Sequence, residues 1–285
     1  MKLYEPQTIR YIKNKYGFRF SKSLGQNFLT DVSVINGIVS GAEITKSDLV
    51  VEIGPGIGVL TTACADAAGY VMSIEIDREL EPVLAETLTG YENIEIIFGD
   101  ALKTDISALR AEHPELTGFK IVGNLPYYIT TPILTHLVEA DTGADSITIM
   151  MQKEVADRIS APAGSRDCGA ISICVQYRCE IERVLEVGKE AFMPQPKVDS
   201  AVLKLIPRKE PAVKVKDEKL FFEIVKAGFS QRRKTLRNSL KTTGRSREDI
   251  DRFLEAAGIE GERRAETLTL EEFAALADAF CGGKA

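Results

Sequence analysis

The chain has 285 residues, 44% of them hydrophobic and 27% charged, with a net charge of −6, five irregularly spaced cysteines and two histidines. This length accommodates one large and one smaller domain, and the cysteine and histidine spacings argue against a disulfide framework and against a metal site. Because every apolar run falls short of the about 18 residues of a membrane-spanning helix and the N-terminus lacks an apolar signal core, we expect a cytoplasmic protein that does not bind a membrane.

Two regions are cationic although the chain is acidic overall. Residues 1–30 carry six basic residues and a single acidic one, Glu5. The stretch from Lys226 to Arg247, the basic segment, carries eight basic residues and no acidic one. Two such regions predict a local positive field that attracts a polyanion.

The first distinctive motif, residues 22–31, lies before the first predicted strand and reads Lys-Ser-Leu-Gly-Gln-Asn-Phe-Leu-Thr-Asp. Taken alone, Gln26-Asn27-Phe28 is compatible with a helix N-cap followed by an apolar anchor, either Phe28 or Leu29. That structural role does not conflict with contact to a ligand.

From residue 49 onward, short apolar runs alternate with segments of helical spacing. The alternation predicts βαβ units, and therefore an α/β fold with a Rossmann-like, mostly parallel sheet. The predicted strands cover 49–53, 70–75, 94–98, 120–123 and 146–150, and the predicted helices between them include 78–88 and 132–139.

A glycine-rich turn and two carboxylates follow the first three predicted strands. The glycines of Glu52-Ile53-Gly54-Pro55-Gly56-Ile57-Gly58 fall at every second position, unlike the GxGxxG spacing of dinucleotide sites, and no P-loop is present. Glu75, at the end of the second strand, can bind both hydroxyls of a ribose. Asp100, one strand further along, can accept a hydrogen bond from an adenine amino group. Ribose and adenine sites without a pyrophosphate loop favour S-adenosylmethionine over a nicotinamide dinucleotide, although each acid alone is also compatible with a solvated strand end.

Asn124-Leu125-Pro126-Tyr127 ends the fourth predicted strand, where open α/β sheets bind ligands. The amide oxygen of Asn124 and a backbone carbonyl held by Pro126, which we assign to Leu125, can accept the two hydrogens of an exocyclic base amine. Tyr127 can stack on the base, an interaction of about 1–3 kcal/mol. The alternative is a simple strand-to-loop turn in which proline ends the strand and tyrosine fills the core.

The chain ends in an antiparallel closure and a helical region. After a predicted helix at 169–177, strands are expected at 181–187 and 198–206, separated by the proline-rich Phe192-Met193-Pro194-Gln195-Pro196. A linker at 207–211 leads to predicted helices at 219–229, 231–242, 247–257 and 270–280. The predicted domains are therefore 1–206, with an N-terminal extension at 1–30, and a small all-helical domain at 207–285.

These motifs together resemble the ribosomal RNA adenine N6-dimethyltransferase family, in its small-subunit branch. The resemblance covers nearly the whole chain. It is carried by residues 25–29, the glycine turn, Glu75, Asp100, residues 124–127, residues 192–200 and the sequence Phe229-Ser230-Gln231-Arg232-Arg233-Lys234.

The resemblance implies an S-adenosylmethionine-dependent enzyme with a class I methyltransferase sheet. Its substrate would be two adjacent adenosines in a hairpin loop near the 3′ end of small-subunit RNA, each receiving two methyl groups, and its partner the immature small ribosomal subunit. Asn27 and Leu29 would close over the cofactor. The implied cofactor set is Asn27, Leu29, Gly54, Glu75, Asp100 and Asn124, and the expected catalytic set is Asn124, Leu125, Pro126, Tyr127 and Phe192, with Phe192 stacking opposite Tyr127.

We expect residues 231–242 to form a helix that lies against RNA phosphates through Arg232, Arg233, Lys234 and Arg237. A solvated amphipathic helix is the alternative, but such helices usually interleave acidic residues at i±4, which are missing here. We expect the free protein to be a monomer.

Four other functions fit the sequence less well. A DNA adenine methyltransferase would more usually show Asp or Asn followed by Pro-Pro-Tyr, where this chain has Asn124-Leu125-Pro126-Tyr127. A macrolide-resistance methyltransferase modifies a large-subunit adenine, whereas Tyr128 and Thr130-Thr131-Pro132 look more like the small-subunit enzyme. The protein could instead act mainly as an assembly factor for the small subunit, with methylation secondary, and the two roles are compatible. A nicotinamide dehydrogenase lacks both its glycine fingerprint and a candidate proton donor.

Overall fold

The computed structural model describes residues 1–17, 27–140, 142–231 and 233–282. The chain forms two compact units. The first comprises Met1–Ala156 and Ile181–Pro207, and the second comprises Asp157–Glu180 and Arg208–Ala285. The chain last passes from the first unit to the second between Pro207 and Arg208, whereas the sequence placed the domain boundary between 206 and 207. Residues 157–180, which the sequence placed in the first domain, group with the second unit.

The first unit is built on a seven-stranded sheet with strand order β4-β3-β2-β5-β6-β9-β7. Strands β2 to β6 run parallel to one another, and β9 is antiparallel to β6. This confirms the mostly parallel α/β sheet with an antiparallel closing strand. The strands are β2 Asp48–Ile53, β3 Tyr70–Glu75, β4 Ile94–Phe98, β5 Gly118–Asn124, β6 Ser146–Gln152, β7 Cys179–Val187 and β9 Ser200–Pro207.

A separate two-stranded ribbon pairs β1 (Phe28–Leu29) with β8 (Phe192–Met193) in antiparallel register, with Leu29 opposite Phe192. Residues 192–193 were expected to lie in a loop. They form a strand because a partner 163 positions earlier in the chain supplies the hydrogen bonds, which local sequence cannot show.

The helices of the first unit cover both faces of the sheet because their apolar residues recur at helical spacing. Helix α2 begins at the N-cap Asp31, whose side chain accepts a hydrogen bond from the backbone N–H of Ser33 at 2.8 Å. The N-cap interpretation of Asn27 is therefore wrong. The helices are α1 Pro6–Tyr16, α2 Val32–Gly41, α3 Val59–Ala67, α4 Glu81–Thr87, α5 Ile106–Leu109 and α6 Thr130–Glu139, with α7 Lys153–Ser160 crossing into the second unit.

The second unit is helical and has its own core. Tyr177 of α8 packs on Phe221 of α9 with ring centroids 4.5 Å apart, and Phe253 packs on Phe280 at 4.4 Å. Tyr177 is fully buried in this cluster, which explains why residues 157–180 belong here. The helices are α8 Ala170–Arg178, α9 Glu218–Phe229, α10 Leu236–Ser239, α11 Arg247–Ala256 and α12 Leu270–Gly282.

The expected helix at 231–242 is wrong in its first turn. Helix α10 begins at Leu236 and is followed by a 3-10 turn at Leu240–Thr243. Thr235 has extended backbone and is the N-cap of α10. The first two backbone N–H groups of the helix, those of Leu236 and Arg237, donate to the carbonyls of Arg263 and Gly261. These tertiary bonds replace the helical ones that a continuous helix would make.

Candidate active site

A cavity of about 1060 Å³, counted out to its open mouth, lies at the carboxyl ends of the parallel strands. All ten of the expected catalytic and cofactor residues line it: Asn27, Leu29, Gly54, Glu75, Asp100, Asn124, Leu125, Pro126, Tyr127 and Phe192. The register explains this convergence. Ile53 pairs with both Ile74 and Gly123, so the strand ends are level. Asp100, Glu75, Gly54 and Asn124 therefore follow one another along the rim, across three interstrand spacings or about 14 Å.

The glycine turn leaves space above its backbone. Gly54 has φ 75° and Gly56 has φ 58°, both in the left-handed region that side chains rarely adopt. A Cβ at Gly54 would meet no atom within 4 Å, whereas one at Gly56 would lie 2.9 Å from the ring of Phe28. Gly54 thus exposes bare backbone to the cavity, and Gly56 lets Phe28 approach the turn.

Both carboxylate oxygens of Glu75 are fixed by backbone donors. Oε1 accepts from the N–H of Asp77 at 2.8 Å, and Oε2 accepts from the N–H of Gly56 at 3.2 Å. Burial raises the pKa of this carboxyl, and the two backbone bonds act in the opposite direction. Each oxygen retains further lone pairs, so the group can accept two ligand hydroxyls without moving.

Asp100 is held in a similar way after β4. Its Oδ1 accepts from the backbone N–H of Leu102 at 3.0 Å, and Lys103 lies 3.7 Å from Oδ2. The residues that follow the two acids, Ile76 and Ala101, also line the cavity. Ile76 is 54% exposed, an apolar surface at the mouth between two fixed acceptors. This arrangement suits the edge and faces of a nucleoside.

The side-chain amide of Asn124 has a defined orientation. Its Nδ2 donates to the backbone carbonyl of Asn27 at 3.2 Å, which leaves Oδ1 as the acceptor on the other side. The same contact connects the segment before β1 to the end of β5. Asn27 therefore lines the cavity and also sets the direction of the Asn124 amide.

The backbone after Asn124 is stabilised by its neighbours. The N–H of Leu125 donates to the carbonyl of Met150 at 3.3 Å. The carbonyl of Pro126 accepts from the N–H of Ile129 at 3.1 Å and from the hydroxyl of Thr130 at 3.1 Å. These bonds occupy the Pro126 carbonyl, so Leu125 remains the residue whose carbonyl we assign as the second amine acceptor.

Tyr127 and Phe192 are the aromatic walls. The Tyr127 hydroxyl shares a hydrogen bond with Ser200 Oγ at 2.8 Å, and burial raises the pKa of the phenol, which stays neutral. Phe192 is 6% exposed and is held by its pairing with Leu29. The ring of Tyr127 is thus anchored through its hydroxyl, and that of Phe192 through the β1–β8 ribbon.

Two further polar side chains of the cavity were not assigned a role from the sequence. Glu52 is fully buried below the glycine turn, and Tyr128 is 54% exposed at the mouth, where burial and the charges of Glu75 and Asp100 raise its pKa. An acidic residue inside the apolar run 49–53 was the available signal for Glu52. Tyr128 was used in the sequence analysis only to favour the small-subunit branch, and nothing in the sequence indicated that its side chain lines the cavity.

The expected RNA-binding residues lie in the second unit and differ from one another. Arg232 lies outside the described residues. Arg233 and Lys234 are exposed, and within the described ranges neither forms a salt bridge. Arg237 is instead paired with Asp251, at 2.5 Å, and with Glu262. Arg237 has no acidic residue at i±4, but two acidic residues further along the chain pair with it and neutralise its charge.

Lys241 and Arg245 extend the exposed part of the basic segment. Both side chains are exposed, and the described part of the chain offers neither a salt-bridge partner. In the same described part, no group of three acidic, histidine or cysteine side chains is arranged to hold a metal ion. No helix there is both long and apolar enough to cross a bilayer.

The whole fold has known relatives. The family model described as "Ribosomal RNA adenine dimethylase" matches residues 17–280. The chain is 50% identical over 277 residues, 96% of both chains, to the protein named "Ribosomal RNA small subunit methyltransferase A" of Alkaliphilus metalliredigens.

Two solved structures are similar over most of the chain. A dimethyladenosine transferase from Plasmodium falciparum has a TM-score of 0.69 at 26% identity, covering 87% of this chain and 95% of that one. The 23S rRNA methyltransferase ErmE has a TM-score of 0.63 at 31% identity, covering 89% of this chain and 99% of that one.

Proposed function

The chain belongs to the ribosomal RNA adenine dimethylase family, and we propose that it transfers methyl groups from S-adenosylmethionine to N6 of two adjacent adenosines in small-subunit RNA. Each adenosine receives two methyl groups. The observation that carries this proposal is the single cavity in which an oriented amide oxygen, a proline-supported backbone and two aromatic walls meet a nucleoside site.

The cavity fits the cofactor. Glu75 offers two fixed oxygens to ribose hydroxyls, and Asp100 offers an acceptor to an adenine amine. Ile76 and Ala101 supply apolar surface for the base, and the space above Gly54 admits the amino-acid tail. When bound, S-adenosylmethionine supplies a methyl group activated by a sulfonium.

Asn124 and Leu125 prepare the nucleophile. The N6 lone pair of adenine is delocalised into the ring, so the amine is a weak nucleophile. When Asn124 Oδ1 and the Leu125 carbonyl accept its two hydrogens, they favour a pyramidal nitrogen and stabilise the positive charge that develops on it. The nitrogen loses its proton easily once it is cationic, so this site requires no strong base.

Tyr127 and Phe192 hold the base between them. Stacking is worth about 1–3 kcal/mol per base, and the in-line displacement depends on such positioning. The adenine has to leave its own stack to enter, which costs least in a loop. A hairpin loop is therefore the substrate that this cavity favours.

Exposed residues of the basic segment bind RNA phosphates in this proposal. Arg233 and Lys234 carry unneutralised charge in the described structure, whereas Arg237 is paired and contributes less than the sequence suggested. The charges act on a polyanion although the whole chain is acidic. We further propose that the partner is the immature small subunit, and that the protein acts as a monomer in the cytoplasm.

The large-subunit alternative has less support. The chain is 50% identical to a small-subunit methyltransferase and 31% identical to the 23S rRNA methyltransferase ErmE. A role as assembly factor remains compatible with methylation, because the basic segment can bind RNA without the cavity.

The direct test is incubation of the protein and S-adenosylmethionine with small ribosomal subunits that lack these methyl groups, followed by mass spectrometry of the RNA. We expect two adjacent adenosines near the 3′ end to gain two methyl groups each. Modification of large-subunit RNA instead would overturn the substrate assignment. Binding of subunits without methylation would leave only the assembly role.

A further inference from the structure

A fully buried carboxyl group lies beneath the cavity, and the methyl transfer described above does not use it. Glu52 is 1% exposed and lines the cavity. It sits on β2, directly opposite Ser73 of β3, whose hydroxyl donates to Glu52 Oε2 at 2.7 Å. Burying an ionised carboxylate is costly unless an opposite charge compensates for it.

No such compensation comes from the protein. The titratable groups that face Glu52 are Glu75, at the end of β3, and Cys64, on α3. One is acidic and the other is a buried thiol, whose pKa is raised by burial and by Glu52 itself. Within the described residues, no lysine, arginine or histidine forms a salt bridge with Glu52. Burial, reinforced by the charge of Glu75, raises the pKa of the Glu52 carboxyl to about 7.

The order of the residues along the cavity rim indicates where a positive charge that compensates Glu52 would lie. Asp100 and Glu75, after β4 and β3, take the nucleoside, and Asn124, after β5, holds the methyl acceptor. β2, the strand that carries Glu52, lies between β3 and β5, so a cofactor that reaches from the nucleoside residues to the methyl acceptor would pass its sulfur over β2. S-adenosylmethionine has a positive sulfur, whereas the product S-adenosylhomocysteine has a neutral one.

We propose that Glu52 distinguishes the methyl donor from the product by its own charge. It is ionised while a sulfonium lies above β2 and takes up a proton from solvent once the sulfur has become neutral. This inference rests on the proposed function for the identity of the cofactor. Its consequence is that the donor binds in preference to the product, because only the donor compensates the buried carboxylate.

The coupling between donor binding and the ionisation of Glu52 predicts the direction in which donor affinity changes with pH. Donor binding requires ionised Glu52, so donor affinity rises with pH up to about 7 and is constant above it, while product affinity lacks this rise. Both ligands carry an α-amino group, so a response of Glu52 to that group alone would appear for donor and product alike. The ratio Kd(product)/Kd(donor) should increase about tenfold between about pH 6 and pH 8.

Isothermal titration calorimetry of the full-length protein without RNA tests this. Titrations in buffers of different ionisation enthalpy count the protons released, and we expect about half a proton for the donor near pH 7 and none for the product. Sinefungin, in which an amine-bearing carbon replaces the sulfonium, should behave like the donor. Proton release by donor and product alike would show that Glu52 responds to the α-amino group, which overturns the inference.

Glu52→Gln keeps the shape and the acceptor for Ser73 but removes the charge. It should abolish both the pH dependence of the ratio and the proton release, while Glu95→Gln, at an exposed position on β4, should change neither.

If Glu52→Gln does not fold, the pH dependence of the wild-type Kd ratio and the proton release on sinefungin binding decide alone. A flat ratio with normal donor binding refutes the inference and leaves the proposed function standing. Failure to bind either ligand refutes the proposed function.

Discussion

The strand-end cavity of the first unit and the basic segment of the second unit have different proposed roles in RNA recognition, and these roles depend on different physical interactions. In the cavity, Glu75 and Asn124 are fixed by hydrogen bonds to backbone groups, so their acceptor atoms have defined positions. Arg233 and Lys234 are exposed side chains without such bonds in the described structure. A fixed acceptor acts on one bond of one base, whereas exposed charges act on phosphates whatever the sequence. Substitutions in the cavity should therefore change catalysis, and those in the basic segment should change salt dependence.

The largest effect is expected for Asn124→Ala. In the proposed mechanism it removes the acceptor that stabilises charge on N6 only in the transition state, so kcat should fall by about 100- to 1,000-fold. Affinity for S-adenosylmethionine, measured by calorimetry, should change far less. Asn93→Ala is the control, because Asn93 is a partly buried asparagine that bonds to the carbonyl of Ala65 at 3.0 Å, away from the cavity. Equal losses of kcat and cofactor affinity in Asn124→Ala would reduce the residue to a cofactor contact.

Two substitutions at Tyr127 distinguish the contribution of its ring from that of its hydroxyl group. Tyr127→Ala loses the stacking surface, so kcat/KM for RNA should fall by about 5- to 150-fold, equivalent to about 1–3 kcal/mol. Tyr127→Phe keeps the ring and loses the hydrogen bond to Ser200, which should cost about 1 kcal/mol of stability and less than about tenfold in kcat/KM. If the two variants are equally impaired, the hydroxyl and not the ring is the functional part.

Gly54→Ala distinguishes a cofactor surface from a strained turn. Gly54 (φ 75°) and Gly143 (φ 72°) have nearly the same backbone and equally open surroundings. Alanine should cost about 1–2 kcal/mol of unfolding free energy at either site, measured in urea. At Gly54 alone, the added methyl group should also weaken S-adenosylmethionine binding by about tenfold or more, a loss of about 1.4 kcal/mol. Equal cofactor affinity in the two variants would mean that the ligand does not approach this turn.

The sequence predicts a region well when the residues that interact there are close in sequence or follow a regular pattern, and poorly when they are far apart in sequence. The rim of the cavity was predictable because Gly54, Glu75, Asp100 and Asn124 stand at the ends of parallel strands, and those ends meet at one edge of the sheet. The β1–β8 ribbon was missed because Phe28 and Met193 pair across 165 positions. Residues 157–180 were assigned to the wrong unit because Tyr177 packs on Phe221, a contact that no local pattern encodes. The same limitation explains Arg237, whose acidic partners lie 14 and 25 positions away.

The smallest effect on RNA binding is expected for Arg237, which can be compared directly with Arg233 and Lys234 of the same basic segment. Arg233→Ala with Lys234→Ala removes two unpaired charges, so the slope of log affinity for RNA against log salt should become shallower by about 1.4–1.8. Arg237→Ala removes a charge that Asp251 and Glu262 already neutralise, so the slope should stay unchanged. Its cost is expected in stability, about 1 kcal/mol of unfolding free energy, because these partly exposed ion pairs are weak. Binding measured across a salt series, together with urea unfolding of the same samples, separates the two outcomes. A slope that falls in Arg237→Ala would mean that RNA displaces Asp251 and Glu262 from the guanidinium, in which case paired and unpaired cations of the segment act alike.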